Sequence, residues 1–203
     1  EVTVFYDYVC PYVYRAAEWM DSLDQILDTP PTVEWRAFSL TQVNHRIRDN
    51  WKIWEEPAKG AEWENQDYAR ALRLFWAAGA GLRQGKEAFQ NLHIQLLRAI
   101  HADRQEINTR DSMIEIADKA GLEISQFARD LDDTTCLEHL AADHTAGVDL
   151  GVFGTPTYVM GSAAPAYLKL TRPLNTQESL ELWHSFSTVV AEQPFVAEIK
   201  RPQ

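Results

Sequence analysis

The apolar positions alternate with a period of two near both ends of the chain and follow a helical period between them. Val2–Tyr6 is a β-branched and aromatic run, which predicts a buried strand. Residues 33–37, Thr157–Met160 and 166–170 alternate between apolar and polar side chains and predict three further strands. Because crossover connections are right-handed, the first two strands should lie parallel in one sheet.

Helical stripes fill the rest of the chain. The first helix is expected to begin at Pro11, since proline is favoured at the first helical position, with Cys10 as its N-cap. Thr134 or Thr135 is expected to cap the last helix of the middle segment. The inner positions of the predicted helices are Val13, Ala16, Ala17, Met20 and Leu27; Ala69, Leu72, Phe75 and Trp76; Phe89, Leu92, Leu96 and Ile100; Met113, Ile116, Ala117 and Ala120; Ile124, Phe127 and Leu131; Leu137, Leu140 and Ala141; and Leu180, Trp183, His184, Ser187 and Val190.

The order of elements is β-α-β, then helices only, then β-β-α. This order predicts an α/β fold in which one mixed sheet carries helices on both faces. The sheet domain is expected to be discontinuous and to comprise residues 1–42 and 149–203. Residues 43–148 are expected to form a large all-helical insertion.

Composition and charge restrict the partners. With 203 residues, 45% hydrophobic and 24% charged, the chain has the composition of a folded globular protein. Its net charge of −11 argues against nucleic acid or an anionic membrane surface as a partner. No apolar run has the length of a membrane span, and the first residues do not resemble a signal peptide. Two cysteines do not make a disulfide scaffold, so the expected compartment is the cytoplasm.

Cys10 is the main candidate for chemistry. It lies where a strand ends and a helix begins, so its sulfur is expected to face unpaired backbone N–H groups and the positive end of the helix dipole. That position favours the thiolate form and makes a cysteine nucleophilic. We therefore expect Cys10 to be exposed and reactive. The alternative is a small buried side chain that only caps the helix.

The second candidate is the segment Gly154-Thr155-Pro156-Thr157, directly ahead of a predicted strand. Proline cannot donate a hydrogen bond into a sheet, so at the start of a strand it marks an edge or a special turn. A cis bond between Thr155 and Pro156 would turn the backbone of Thr155 outward. Its N–H and C=O would then be available to an extended ligand.

Together these segments carry a resemblance that covers essentially the whole chain. The pattern FYDYVCPYVY at 5–14, followed by GVFGTPTYV at 151–159, resembles the DsbA-like branch of the thioredoxin superfamily. That branch includes 2-hydroxychromene-2-carboxylate isomerases and kappa-class glutathione transferases. The resemblance implies a thioredoxin fold with a helical insertion. It also implies that Cys10 is the attacking thiol and that Thr155-Pro156 is a cis-proline turn beside it.

The chain departs from the family pattern at the second cysteine. Redox members carry Cys-x-x-Cys, but here Cys10 is followed by Pro11, Tyr12 and Val13. Val13 lies on the buried stripe of the first helix, so Cys10 has no local partner with which to close a disulfide. Pro11 and Tyr12, together with Thr155 and Pro156, are expected to contact the substrate.

Three functions remain open at this point. The preferred one is an enzyme, a monothiol oxidoreductase whose Cys10 attacks a disulfide and whose mixed disulfide is resolved by an outside thiol. The main rival is an isomerase or transferase in which Cys10 contacts glutathione without being oxidised. The third is a redox-inactive binding module. No tightly bound cofactor is expected beyond glutathione or another low-mass thiol, and a homodimer is a candidate assembly.

The remaining chemical side chains have structural as well as functional interpretations. Cys136 is either a partly buried spacer, which we prefer, or a distant resolving thiol. His93 and His144 lie on apolar stripes and are expected to be core histidines rather than catalytic bases. No His or Cys spacing predicts a zinc site.

An irregular segment opens the predicted insertion and contains bulky aromatic and polar side chains. Trp51, Trp54 and Trp63 either fill the seam between subdomains or line a groove next to the reactive thiol. Four polar side chains near this segment are expected to pair with the carboxylates of a glutathione-like ligand. They are Gln42, Asn44, Arg46 and Arg48.

Overall fold

The computed structural model describes residues 1–45, 47 and 49–199. Its strands are β1 (Val2–Tyr6), β2 (Val33–Ala37), β3 (Thr157–Met160) and β4 (Ala166–Tyr167). Its α-helices are α1 (Pro11–Ile26), α2 (Leu40–Asn44), α3 (Ala69–Leu82), α4 (Lys86–His101), α5 (Arg110–Lys119), α6 (Ile124–Asp130), α7 (Glu138–Asp149) and α8 (Thr176–Glu192). Short 3₁₀ turns span Ile53–Glu55, Pro57–Lys59, Ala61–Asn65 and Thr134–Leu137.

The strands form one mixed sheet in the order β2-β1-β3-β4. The predicted parallel pairing of β1 with β2 is confirmed, with Val4 opposite Trp35. β3 runs antiparallel to both β1 and β4. This arrangement agrees with the predicted thioredoxin-like α/β fold, in which Cys10 follows β1 and the proline turn precedes the neighbouring strand β3.

Helices cover both faces of the sheet because successive strand residues point to opposite sides. Val2 and Val4 face α1 and α8. On this side of the sheet, Trp19 of α1 and Tyr158 of β3 are fully or almost fully buried. Phe5 faces the other side and packs near α7, where a Cβ at Gly147 would lie 3.0 Å from its ring. Each face of the central strand β1 is therefore shielded from water.

Between α2 and β3, the described residues form only helices and turns. This helical segment packs on the sheet domain, since α4 contacts α1 and α7 contacts β2. A single hydrophobic core continues from Tyr6 on β1 to Phe75 on α3 and Leu140 on α7. None of the helices within the described ranges has an apolar stretch long enough to span a bilayer.

Three predicted details differ from the structure. The strand predicted over 166–170 ends at Tyr167, because only Ala166 and Tyr167 pair with β3. Asp133, not Thr134 or Thr135, caps the turn that precedes α7, and its carboxylate accepts the Thr135 N–H at 2.9 Å.

The inner face of α8 also differs in part from the prediction: Trp183 and Val190 pack inward as predicted, whereas His184 does not. Trp183 and Phe186 pack against Trp19, with ring centroids 6.2 and 6.0 Å apart. Adjacent positions on a helix are about 100° apart, so His184, which the pattern placed inward, is exposed. The pattern located the helix, and the contact with Trp19 set its rotation.

Candidate active site

Cys10 lies at the junction of β1 and α1. It is the N-cap of α1 as predicted, with extended backbone angles of −88° and 112°, and Pro11 begins the helix. Its N–H donates to the Asp7 carbonyl at 3.1 Å, and its carbonyl accepts the Val13 N–H at 3.1 Å. These bonds fix the cysteine directly at the positive end of the helix.

The thiol itself points across the chain. Cys10 Sγ donates to the Thr155 carbonyl oxygen at 3.2 Å and makes no capping bond to α1. The expectation that the sulfur faces the helix N–H groups is therefore wrong in this resting arrangement. So is the expectation of an exposed cysteine, because only 6% of Cys10 is accessible. The proline turn therefore supplies the carbonyl that the thiol contacts.

The turn before β3 has the geometry that the resemblance implies. The Thr155–Pro156 peptide bond is cis. Thr155 and Pro156 are both buried, and the buried Thr155 hydroxyl has no hydrogen-bond partner among the residues that the structure describes. The Thr155 carbonyl, expected to be available to a ligand, accepts the Cys10 thiol instead. Thr157 Oγ1 donates to the Gly154 carbonyl at 2.7 Å and closes the turn.

The first turn of α1 divides into exposed and buried positions. Pro11 is exposed and Tyr12 is half-buried. Val13 is completely buried in the core that α1 shares with α4. Val13 is thus a packing residue, as predicted.

A lysine that the sequence reading missed lies beside this turn. Lys169 Nζ is 4.8 Å from the ring centroid of Tyr12 and 5.2 Å from that of Tyr167. The pKa of Lys169 is raised, first by its hydrogen bond with Tyr167 and to smaller extents by the ionised forms of Tyr12 and Cys10. The available signal was the alternation over 166–170, which places Tyr167 and Lys169 on one face.

Asp7 supports the loop that carries Cys10, and the sequence reading missed this role as well. Its fully buried carboxylate accepts the Val9 N–H at 3.0 Å and the Leu40 N–H at 2.7 Å. Burial raises the pKa of Asp7 to about 6, opposed by these two hydrogen bonds. The carboxylate joins the Cys10 loop to the start of α2. An acid at the end of a buried strand was the signal available in the sequence.

Two histidines support the other side of the loop. His93 Nδ1 lies 3.0 Å from the Tyr8 hydroxyl, and His101 Nε2 lies 2.8 Å from the Tyr8 carbonyl oxygen, to which it donates. Burial lowers the pKa of His93 to about 3, so its ring stays neutral. The prediction that His93 is a core histidine is confirmed. His144 is likewise buried, and its Nδ1 accepts the Ser39 N–H at 3.2 Å.

Four polar side chains were expected to pair with the carboxylates of a ligand. Two of them form hydrogen bonds within the protein, and the other two are not described. Gln42 is buried, donates to the Trp51 carbonyl at 2.8 Å and accepts the Ile53 N–H at 2.8 Å, so its amide holds the chain after α2. Asn44 donates to the Leu40 carbonyl at 2.8 Å. Arg46 and Arg48 lie outside the described residues.

The tryptophans pack against helices, which favours the seam interpretation. Trp51 is 1% exposed, while Trp54 and Trp63 are half-buried against the same core. Their ring partners are Tyr68 at 5.1 Å for Trp51, His144 at 5.5 Å for Trp54 and Trp76 at 5.9 Å for Trp63. These rings belong to α3, α7 and the residue before α3, not to the turn around Cys10.

Within the described part of the chain, no group of three or more His, Cys, Asp or Glu side chains is arranged to hold a metal ion. Neither cysteine forms a disulfide. The thiol of the described site is that of Cys10. It lies between a helix N-terminus, a cis-proline turn and a lysine held by two aromatic rings.

Comparison with known proteins identifies the family. The DSBA-like thioredoxin domain matches residues 1–181, and the chain belongs to that family. A Mycobacterium tuberculosis protein, described as uncharacterized protein Rv2286c, is 25% identical over 210 residues, covering 100% of this chain and 82% of its own length.

Solved structures share the fold at low sequence identity. A 2-hydroxychromene-2-carboxylate isomerase is similar with a TM-score of 0.63 and 16% identity, covering 97% of this chain and 99% of its own. The cytosolic disulfide reductase DsbM from Pseudomonas aeruginosa has a TM-score of 0.59 and 16% identity, covering 91% and 98%. DsbM has also been solved with GSH.

Proposed function

We propose that this protein is a thiol–disulfide oxidoreductase that acts through Cys10 alone. The observation that carries the proposal is the position of Cys10 Sγ, which lies at the N-terminus of α1 and 3.2 Å from the Thr155 carbonyl of the cis-proline turn. Membership of the DSBA-like thioredoxin domain family supports it. Burial of Val13 supports the monothiol form, because no second thiol stands next to Cys10 on α1.

The exchange begins when the Cys10 thiol loses its proton. The helix N-terminus stabilises the negative charge on sulfur. The Thr155 carbonyl then has no thiol donor and is able to accept an N–H group from a substrate in extended conformation. The cis-proline turn thus aligns the substrate beside the sulfur that attacks it.

In the first step, a bond forms between Cys10 Sγ and one sulfur of the substrate disulfide while the S–S bond breaks. The bonding electron pair leaves on the other substrate sulfur, which takes a proton from water. Cys10 is oxidised to a mixed disulfide and half of the substrate is reduced to a thiol. The thiolate of glutathione or another low-mass thiol then attacks the substrate sulfur of the mixed disulfide. A new disulfide forms between that thiol and the substrate, the bond to Cys10 Sγ breaks, and Cys10 leaves as a thiolate.

The test is incubation of the purified protein with oxidised glutathione, followed by mass spectrometry and peptide mapping. We expect one glutathionyl group on Cys10, no adduct in Cys10→Ser and an unchanged adduct in Cys136→Ser. Tight binding of reduced glutathione without any adduct would instead favour an isomerase or transferase. Neither binding nor an adduct would favour a redox-inactive binding module.

A further inference from the structure

The position of Lys169 suggests a role in substrate selection. β4 ends at Tyr167, which lies directly opposite Thr157 of the proline turn. Leu168 packs into the core on the sheet face covered by α1 and α8. Because side chains alternate along an extended chain, Lys169 points to the same side as Tyr167 and reaches Tyr12 at the start of α1.

Two aromatic rings hold the Lys169 ammonium group in place. Its nitrogen lies within cation–π distance of both Tyr12 and Tyr167. Among the residues that the structure describes, no carboxylate forms an ion pair with it. Its charge is therefore not neutralised by an acid, and its location is more restricted than that of an ordinary surface lysine.

The surroundings of Lys169 favour a negative partner. The first turn of α1 contains no acidic side chain, although the protein as a whole carries a net charge of −11. The positive end of the helix dipole and the ammonium group therefore both attract a negatively charged ligand that approaches Cys10. Phe153, which is 69% exposed and contacts Tyr167 in a tilted arrangement with ring centroids 5.0 Å apart, adds an apolar surface at the same place.

We propose that Lys169 determines the specificity of Cys10 for disulfides that carry a carboxylate or a similar negative group a few bonds from the sulfur. The proposal rests on the proposed function of Cys10. The substrate anion pairs with the ammonium group while one of its sulfurs forms the bond to Cys10 Sγ. The disulfide bond breaks, and its electron pair leaves on the second sulfur, which is protonated by water. Lys169 takes no part in the electron transfer and acts as a binding residue.

Three low-mass disulfides of similar length separate charge from reactivity: dithiodipropionate is anionic, hydroxyethyl disulfide is neutral and cystamine is cationic. The measurement is the second-order rate constant for mixed-disulfide formation on Cys10, followed by mass spectrometry. Each value is divided by the rate constant of a free thiol with the same disulfide. We expect the parent protein to rank them anionic, neutral, cationic.

The matched variants are Lys169→Met, which keeps the length and removes the charge, and Lys169→Arg, which keeps the charge. In Lys169→Met we expect the rate with dithiodipropionate to fall about fivefold, the rate with cystamine to rise and the neutral rate to stay within about twofold. Lys169→Arg should retain the ranking. Lys119→Met removes one positive charge from α5, which packs on α3, α4 and α6, and should leave the ranking unchanged.

The outcomes distinguish this proposal from the function on which it depends. If Cys10 reacts with all three disulfides at equal relative rates, the charge-based selection is wrong while the thiol exchange stands. The same holds if Lys169→Met and Lys119→Met lower the anionic rate equally, because net charge then explains the effect. If Cys10 forms no mixed disulfide with any of the three, both proposals are wrong.

Discussion

The surroundings of the two cysteines differ although their burial is similar. Cys10 is 6% exposed and donates to the Thr155 carbonyl, and Cys136 is 3% exposed and donates to the Asp130 carbonyl at 3.3 Å. Cys10, however, precedes a helix without acids in its first turn and lies near Lys169. The two thiols are equivalent by their exposed fraction, but the charges around them differ.

The region of Cys136 disfavours a thiolate. Burial raises the pKa of Cys136 to about 11, with Asp130 and Asp133 adding to the shift and Arg83 opposing it. Arg83 is already paired with both acids, each at 2.9 Å. Helix α3 also approaches closely, since a Cβ at Gly79 would overlap the Cys136 carbonyl oxygen. Burial, the two acids and the close backbone of α3 together make Cys136 a structural thiol.

The largest expected effect is on alkylation. With iodoacetamide at pH 8, we expect Cys10 to react at least about a hundredfold faster than Cys136, because a thiol of pKa about 11 is ionised in only about one molecule in a thousand. Peptide mapping by mass spectrometry during the reaction gives both rates. Cys10→Ser should leave only the slow reaction. Equal rates, or faster labelling of Cys136, would remove the distinction between the two regions.

The next effect concerns the second thiol. Val13→Cys places a partner on the first turn of α1, where Val13 is completely buried, and we expect it to increase disulfide-reductase turnover at least about tenfold when a dithiol such as dithiothreitol is the electron donor. The parent should instead accumulate its mixed disulfide when only a limiting monothiol is present. Both are followed by release of thiols from a model disulfide.

Cys136 gives the control for this experiment. If the parent turned over as fast as Val13→Cys, and Cys136→Ser abolished that turnover, then Cys136 would be the resolving residue. The monothiol proposal would have to be given up. Val13→Cys adds a second thiol next to Cys10, and Cys136→Ser removes the distant one. Both variants therefore test whether Cys10 acts alone.

The smallest effect concerns the acid sensitivity of the support under Cys10. The pKa of His93 is lowered to about 3 by burial, so the unfolded chain binds a proton between about pH 6.5 and 3 that the folded protein does not. His93 therefore contributes stability that is present above about pH 6.5 and is lost as the pH falls toward 3. We expect the free energy of unfolding to fall for this reason by about 1.4 kcal/mol per pH unit within that window.

The variants for this test keep the aromatic packing. Tyr8→Phe removes the hydroxyl that contacts His93, and Tyr8→Phe/His93→Phe also removes the titrating ring. The free energy of unfolding is measured with denaturant at several pH values between 4 and 6. Its slope against pH should correspond to about one bound proton fewer in the double variant than in Tyr8→Phe. Asp7 acts in the opposite sense, since its raised pKa makes stability fall as the pH rises toward about 6, and it is common to both variants. Equal slopes would contradict the assignment of a neutral buried His93.

The sequence by itself determined the elements whose signals are local. Strand β1, the start of α1 at Pro11 and the position of Cys10 as N-cap follow from residues within a few places of one another. The core role of Val13 and His93 also followed from helical periodicity. Such features depend on backbone geometry and on which side of an element is apolar, and both repeat at short range along the chain.

Only the tertiary structure decided how the site is assembled. The Cys10 thiol meets the carbonyl of a residue 145 positions away, and the Asp7 carboxylate reaches the N–H of Leu40 across 33 positions. The contact of Lys169 with Tyr12, the hydrogen bond of the Gln42 amide to Trp51 and the orientation of α8 against Trp19 were likewise decided by tertiary structure. These contacts depend on the packing of sheet and helices against each other. The distance and direction of that packing are not encoded in any local period.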